Sequence, residues 1–369
     1  MTTSQRPTVD HRIKAMLTDD AGRVPVVLGL CGTGRTSLLH RLQTDLGPQE
    51  SQYVNVERTV STPERFLNAL TAGSPFIDAR PTPQAISPRQ AFDAVLAFFS
   101  GARRVDQGPV TFLLDEVLEF RTFESFPGLR RALSELLAVI ASSPNRFVLT
   151  SRYIARTERA LAAASPQFVV VPMPALPGDE TERMVADALG VGASNGGTTT
   201  GGESVADIAR LVQALSEGRP AYTRAIVESM ASRAGHGVAD PVAALTALLE
   251  PDTRLSSQCA FSYELRLHRA RGYGALKGIL EILSEQEPLT LTEISKRLGR
   301  TPGSTKDYLS WLEDVDLVLA HQKRYRFRDP LLRVWARLHC QPTPPAAEKI
   351  GREVQRYAAT CLPATLEHV

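Results

Sequence analysis

The apolar positions of the chain follow two regimes. Up to residue 171, short apolar runs alternate with amphipathic stretches. The run at 26–30 ends in a glycine-rich turn and passes into an apolar-periodic helix over 35–44. Residues 52–57 alternate as a second strand. The run 110–116 is almost wholly apolar until it ends in Asp115-Glu116, which fits a strand buried on both faces of a parallel sheet. Residues 146–152 and 167–171 read as a fourth and a fifth strand. Between them the 3.6-residue period predicts helices over 11–17, from Ser61, over 89–101 (with Phe92, Val95, Leu96 and Phe99 on one face) and over 129–141. Ser61 and Glu64 have capping-box spacing, with Pro63 in the first turn. Residues 1–8 read as disordered, 19–22 as a turn, and 73–88, with four prolines, as an irregular connection. Strands alternating with helices predict a parallel sheet with right-handed crossovers.

From Pro172 the period is helical. Helices are expected over 179–189, 203–216, 220–233 and 240–250. Residues 192–202 are a low-complexity Gly/Thr segment that reads as a flexible loop. Gly218 ends one helix and Pro220 opens the next. A different pattern starts near 271. One helix covers 275–284, a Thr290/Glu293 capping box opens a second, Gly299 ends it, and Thr301-Pro302 starts a third with Tyr308, Leu309 and Leu312 inward. Residues 315–327 read as two strands around Gln322-Lys323-Arg324. Three short helices and a wing describe a winged helix-turn-helix. Its third helix is expected to expose Ser304, Thr305, Lys306 and Ser310. Residues 341–348 form a linker, and 349–361 an amphipathic helix with Ile350, Val354 and Tyr357 on one face. The expected division is a core at 1–175, a helical lid at 176–270, a winged helix at 271–340, and a linker with a C-terminal helix at 341–369.

Composition changes this picture little. The 369 residues are 43% hydrophobic and 22% charged, with a net charge of +2, so any basic surface must be local. Across 271–340 there are 12 Lys/Arg against 9 Asp/Glu, a small excess. No apolar run approaches the ~20 residues of a membrane span, and the start of the chain lacks an apolar signal segment. The four cysteines are scattered without metal-ligand spacing and read as reduced thiols, so a cytoplasmic protein is expected.

The chemistry concentrates at two strand ends. Gly29, four residues, Gly34, Arg35, Thr36 is the spacing of a phosphate-cradling loop, with Arg35 where the pattern has lysine. Gly29, Gly32 and Gly34 let backbone N–H groups converge on one point, at which the following helix aims its positive end. Thr36 sets a hydroxyl where Mg²⁺ would sit. Arg35 supplies the cation for the β- and γ-phosphates, as a wider planar fork than lysine. Downstream, Asp115 is suited to the Mg²⁺ water shell and Glu116 to orienting and deprotonating a water. Acids capping a helix start are the alternative. Arg152, ending the fourth strand, is suited to sensing a γ-phosphate, and a solvated loop arginine is its alternative. Arg121, Arg130 and Arg131 follow the acidic strand and are candidates for an arginine finger, or a solvated helix face.

These residues together resemble the prokaryotic "archaeal ATPase" group of P-loop NTPases, close to the AAA+ and STAND ATPases. The resemblance covers roughly 10–340. It rests on Gly29–Ser37, Leu113-Leu114-Asp115-Glu116, Leu149-Thr150-Ser151-Arg152, Gly218-Arg219-Pro220 and the string Tyr325-Arg326-Phe327-Arg328-Asp329-Pro330-Leu331-Leu332-Arg333-Val334-Trp335. That string is similar to the group's Tyr-x-Phe-x-Asp-Pro-x-x-Arg-x-Trp ending. The resemblance implies an α/β fold: a parallel five-stranded P-loop core, an α-helical lid and a winged helix-turn-helix domain. It implies ATP or ADP held by Gly29, Gly32, Thr33, Gly34, Arg35, Thr36 and Ser37, with Pro220 packing on adenine. Mg²⁺ would be held through Thr36 and Asp115, Glu116 would be the catalytic base and Arg152 the sensor. Arg35 in place of the family's lysine implies tight binding with slow turnover.

The expected function is a regulatory ATPase in which nucleotide state positions the winged helix. One alternative is nucleotide-dependent DNA binding through Lys306, Lys323 and Arg324, of the origin or transcription type. Another is a non-hydrolysing scaffold. A protein partner or a second copy fits any of the three, and a membrane fits none.

Overall fold

Five strands organise the first part of the chain: β1 (Val24–Leu28), β2 (Ser51–Asn55), β3 (Thr111–Asp115), β4 (Arg146–Ser151) and β5 (Phe168–Pro172). The computed structural model describes residues 7–18, 22–78, 87–190, 204–233, 240–268, 272–341 and 343–361. Within it the chain forms two compact units, Met1–Met173 and Pro174–Val369.

In the first unit the strands lie in the order β2-β3-β4-β1-β5, all parallel. Every residue of β1 and β3 is buried, as their unbroken apolar runs require. Alternate side chains serve opposite faces. On one face Val27, Leu113 and Val148 meet α1 (Pro7–Thr18) through Ile13 and α2 (Arg35–Leu46) through Leu38, Leu39 and Leu42. Arg41 clamps Asp10 with two bonds of 2.9 and 3.0 Å, joining these helices. On the other face Phe112 and Phe147 stack at 5.4 Å, and Phe98 and Phe99 meet Phe112 edge-on.

Several local expectations shift by a turn. β2 stops at Asn55, whose side chain accepts from the Arg58 N–H and caps a one-turn helix, α3 (Val56–Thr59). Thr62, not Ser61, caps α4 (Pro63–Ala72), because Pro63 takes the first helical position and leaves the residue before it as the cap. Ile77–Asp78 pairs antiparallel with Ala102–Arg103, flanking α5 (Pro88–Gly101), so part of the proline-rich connection is ordered. A 3₁₀ helix over Val117–Ser125, which the pattern did not predict, precedes α6 (Ala132–Ser142), and α7 (Ile154–Ala162) follows β4. Of the disorder expected at 1–8, residues 7 and 8 instead open α1, because the apolar-periodic helix starts a turn earlier than expected, while 1–6 lie outside the described residues. Gly22 is in a turn as expected; the rest of the expected turn, 19–21, and the loop at 192–202 lie outside the described residues.

The second unit begins with α8 (Gly178–Leu189), α9 (Val205–Ser216), α10 (Pro220–Arg233) and α11 (Pro241–Leu248). A further helix, α12 (Arg254–His268), was not anticipated. The winged helix comprises α13 (Tyr273–Glu285), α14 (Leu291–Leu298), α15 (Pro302–Asp314) and a three-stranded antiparallel sheet. Its strands are β6 (Leu289–Thr290), β7 (Val318–His321) and β8 (Arg324–Phe327), in the order β6-β8-β7. The wing turns at Gln322-Lys323, both with positive φ, the pair that a tight hairpin demands. The Thr290/Glu293 capping box is present. Thr305, expected on the surface, is fully buried and donates to the Thr301 carbonyl at 3.0 Å. A short polar side chain can satisfy itself on the preceding turn and leave the surface. The unit closes with α16 (Pro330–His339) and α17 (Ala347–Cys361). α17 buries Ile350, Val354 and Tyr357, and the Tyr357 hydroxyl donates to the Leu215 carbonyl at 3.0 Å.

Two sequence motifs meet inside this unit. Gly218 has φ +62°, and a Cβ there would lie 3.1 Å from the Leu176 nitrogen, so only glycine fits. It delivers Arg219 into the interior, where the guanidinium pairs with Asp329 and with Glu217. Burial opposes the Arg219 charge, but Asp329, Tyr222 and Glu217 outweigh it and raise its pKa. Asp329 Oδ1 accepts from the N–H groups of Leu331 and Leu332, capping α16, while Oδ2 takes Arg219 and the Tyr222 hydroxyl. Trp335, one turn further along, donates to Ser256 Oγ on α12 at 3.0 Å. Asp329→Ala would strand a buried guanidinium and uncap α16. The expected loss is about 3–5 kcal/mol, read as a lower urea midpoint; Asp329→Asn, which keeps the cap, should lose less.

Candidate functional site

The parallel register brings three strand ends to one edge. Leu28 pairs with Ser151, and Asn55 with Asp115, so the turn after β1 lies beside the polar ends of β3 and β4. In open α/β sheets this carboxyl edge is where ligands bind. A cavity of about 450 Å³ opens elsewhere, lined by Arg23, Val24, Arg146 and Gln167 at the amino ends of the strands. Among the described residues its lining has no carboxylate, whereas the carboxyl edge gathers Asp115 and Glu116.

The loop after β1 is built as its glycines imply. The Gly29 N–H donates to the Ser151 carbonyl at 3.4 Å, and the Thr33 hydroxyl closes the turn on the Leu30 carbonyl at 2.8 Å. Gly32 and Gly34 have φ of 80° and 89°, values open to glycine without strain. A Cβ on Gly29 would strike the Thr33 hydroxyl at 2.5 Å. Gly34 starts α2 with no side-chain cap, which leaves the helix's positive end to whatever the loop encloses. Thr36 and Ser37 are exposed at this mouth, and Arg35 is buried.

Asp115 gathers hydroxyls from three elements. Thr36 Oγ1 donates to Oδ2 at 2.7 Å, Tyr53 Oη donates to Oδ2 at 3.0 Å, and Thr150 donates to Oδ1. Burial, then the Asp115 charge, raises the Tyr53 pKa, so the phenol stays a donor. Thr150 also accepts from the Glu116 N–H at 3.1 Å, fixing the turn out of β3. The chain leaves β3 through Glu116 at φ 62°, a left-handed conformation rare for a side-chain-bearing residue.

Glu116 sits between two guanidiniums. Its Oε1 lies 2.8 Å from Arg35 Nη1, and its Oε2 lies 3.2 Å from Arg152 Nε while accepting from the Arg152 N–H at 3.0 Å. Arg35, Glu116 and Arg152 are 8, 7 and 6% exposed. Arg152 reaches on to Glu57. Burial works against the Arg152 charge, but Glu116 and Glu57 outweigh it and raise its pKa.

The structure thus brings together Arg35, Thr36, Asp115, Glu116 and Arg152, all of them singled out from sequence. Pro220 belongs to the second unit, where it is buried at the start of α10. Arg121, Arg130 and Arg131 are exposed, and Arg121 pairs with Glu124 at 3.3 Å. Lys306, Lys323 and Arg324 are exposed on α15 and the wing. Sequence reasoning missed Tyr53, Glu57 and the bridging role of Thr150. A tyrosine and a threonine at the polar ends of strands flanking an acid are the available signal.

The donor set fits a polyphosphate with a hard cation. Thr36 and Asp115 are oxygen donors in mutual contact, and the loop amides and Arg35 suit an anion. Among the described residues there is no cluster of three or more His, Cys, Asp or Glu side chains able to hold a metal, and no helix is long and apolar enough to cross a membrane.

A family model described as winged helix-turn-helix DNA-binding matches residues 276–318. Among solved structures, the chain is similar to the Walker-type ATPase PABY2304 of Pyrococcus abyssi, with 16% identity and a TM-score of 0.66 over 90% of this chain and 96% of that one. The RuvB Holliday junction branch migration motor of Thermotoga maritima aligns with 12% identity and a TM-score of 0.41, over 87% and 91%. No curated protein matches. The fold is that of a Walker-type ATPase carrying a C-terminal winged helix-turn-helix.

Thr150→Val should leave an oxygen of Asp115 and the Glu116 N–H without their shared hydroxyl. The expected cost is about 1–3 kcal/mol, measured as a lower melting temperature of the chain.

Proposed function

We propose that the protein is an ATP-binding, slowly hydrolysing regulatory ATPase whose nucleotide state is read out through the winged-helix unit. The observation that carries this reading is the 2.7 Å contact between Thr36 and Asp115, which joins the glycine-rich loop to the acidic strand end. In this reading the loop amides from Gly29 to Ser37 and the positive end of α2 hold the β- and γ-phosphates. Thr36 and Asp115 would hold Mg²⁺, which would supply neutralising charge at the phosphates. Glu116 accepts a proton from the attacking water. Arg152 positions Glu116 through its backbone N–H and its side chain.

The test is calorimetric titration with ATP and ADP in the presence of Mg²⁺, with phosphate release measured alongside, on the wild type and Arg35→Lys. Saturable ATP binding with slow release, accelerated in Arg35→Lys, is the expected result. Absence of nucleotide binding in both proteins would overturn the reading.

A second reading has its own observation: exposed Lys306 on α15, with exposed Lys323 and Arg324 on the wing, in a domain matched by a DNA-binding family model. It makes the winged helix a nucleotide-dependent DNA contact. Lys306→Glu with Arg324→Glu should then abolish duplex DNA binding in a gel-shift assay. Wild-type affinity should fall with salt at a log–log slope of about 0.9 per phosphate contacted. Unchanged binding in the double variant would remove this reading.

A further inference from the structure

Glu57, Arg152, Glu116 and Arg35 form a row of alternating charge, and its last three members are buried. The two oxygens of Glu116 have different partners. Oε2 is fixed by the Arg152 N–H at 3.0 Å and its guanidinium at 3.2 Å. Oε1 faces Arg35 Nη1 at 2.8 Å. Arg35 Nη1 and Arg152 Nε contact Glu116 as charges without an aligned hydrogen bond. Arg152 also holds Glu116 through its backbone N–H, whereas the Arg35 pair is a close ion pair of imperfect geometry alone, which a better-matched anion can displace.

Each partner of the Arg35–Glu116 pair withholds the other from use. A general base needs a lone pair within reach of water, and Oε1 is covered by a cation. A phosphate-binding cation must point into the loop, and Arg35 points at a carboxylate. We propose that Arg35 is a lock on Glu116: a polyphosphate in the loop draws the guanidinium off Oε1, so binding and the uncovering of the base are one event. Oε2 stays anchored on Arg152 throughout, which keeps Oε1 oriented once it is free. Arg152 is then a positioning residue, with Glu57 holding its far side. This inference deepens the nucleotide reading above and rests on it.

The lock predicts a gain of affinity that a purely structural ion pair does not. In Glu116→Gln the neutral amide holds Arg35 weakly, so less must be broken when phosphate arrives. ADP, which has no γ-phosphate to hydrolyse, should bind this variant at least about tenfold more tightly than wild type in calorimetric titration. Inorganic pyrophosphate should gain likewise, since the effect lies at the phosphates. If Glu116→Gln does not fold, as judged by circular dichroism, Glu116→Asp takes its place. Its carboxylate is withdrawn by one methylene, and the same tightening is expected. Equal or weaker ADP binding in a folded variant overturns the lock while leaving nucleotide binding intact. No ADP or ATP binding in either protein overturns the nucleotide reading, and the lock with it.

Discussion

One buried carboxylate holds the edge of the first unit together. Asp115 is 3% exposed and accepts hydroxyls from α2, β2 and β4. A carboxylate removed from water must find such partners or lose its charge. The parallel register makes them available, because it sets the ends of adjacent strands at one level. Of the three donors Thr36 alone is exposed, so it is the one that can exchange its partner without opening the core. The glycine-rich loop is thereby tied to the sheet at the residue best placed to respond to a ligand.

The second unit uses the same device for another purpose. Asp329 divides its oxygens between the start of α16 and the Arg219–Tyr222 pair, 107–110 residues away in sequence. The motif that opens α10 and the motif that follows the wing thus share one electrostatic tie. Both motifs lie within the compact unit Pro174–Val369. Buried polar groups of this kind fix an arrangement because any other leaves a charge unmatched.

Much of the fold was legible because it rests on repetition. The unbroken apolar runs of β1 and β3 and the glycine spacing between β1 and α2 each follow from one local rule. α12 escaped because its buried positions include Ser256, Cys259 and Arg266, which blur the apolar stripe. The 3₁₀ helix after β3 escaped because it follows from the left-handed turn at Glu116, which no residue type announces. At the site, Arg35 and Thr36 could be picked out by spacing, and Asp115, Glu116 and Arg152 by their place at strand ends. The direction of Arg35 could not. Its long side chain reaches either the loop or Glu116, and the choice depends on a strand about 80 residues later whose position only the sheet order sets.

The bond from Trp335 to Ser256 also has a spectroscopic side. Both tryptophans of the chain, Trp311 and Trp335, lie in the second unit, and Trp335 stacks on His339 with rings 18° from parallel. The first unit, with all its phenylalanines, has no indole. Tryptophan emission from the intact chain therefore belongs to the winged-helix unit alone, whereas far-ultraviolet dichroism sums over both. Followed together through a denaturant gradient, the two signals would separate the unfolding of one half from that of the other without any label.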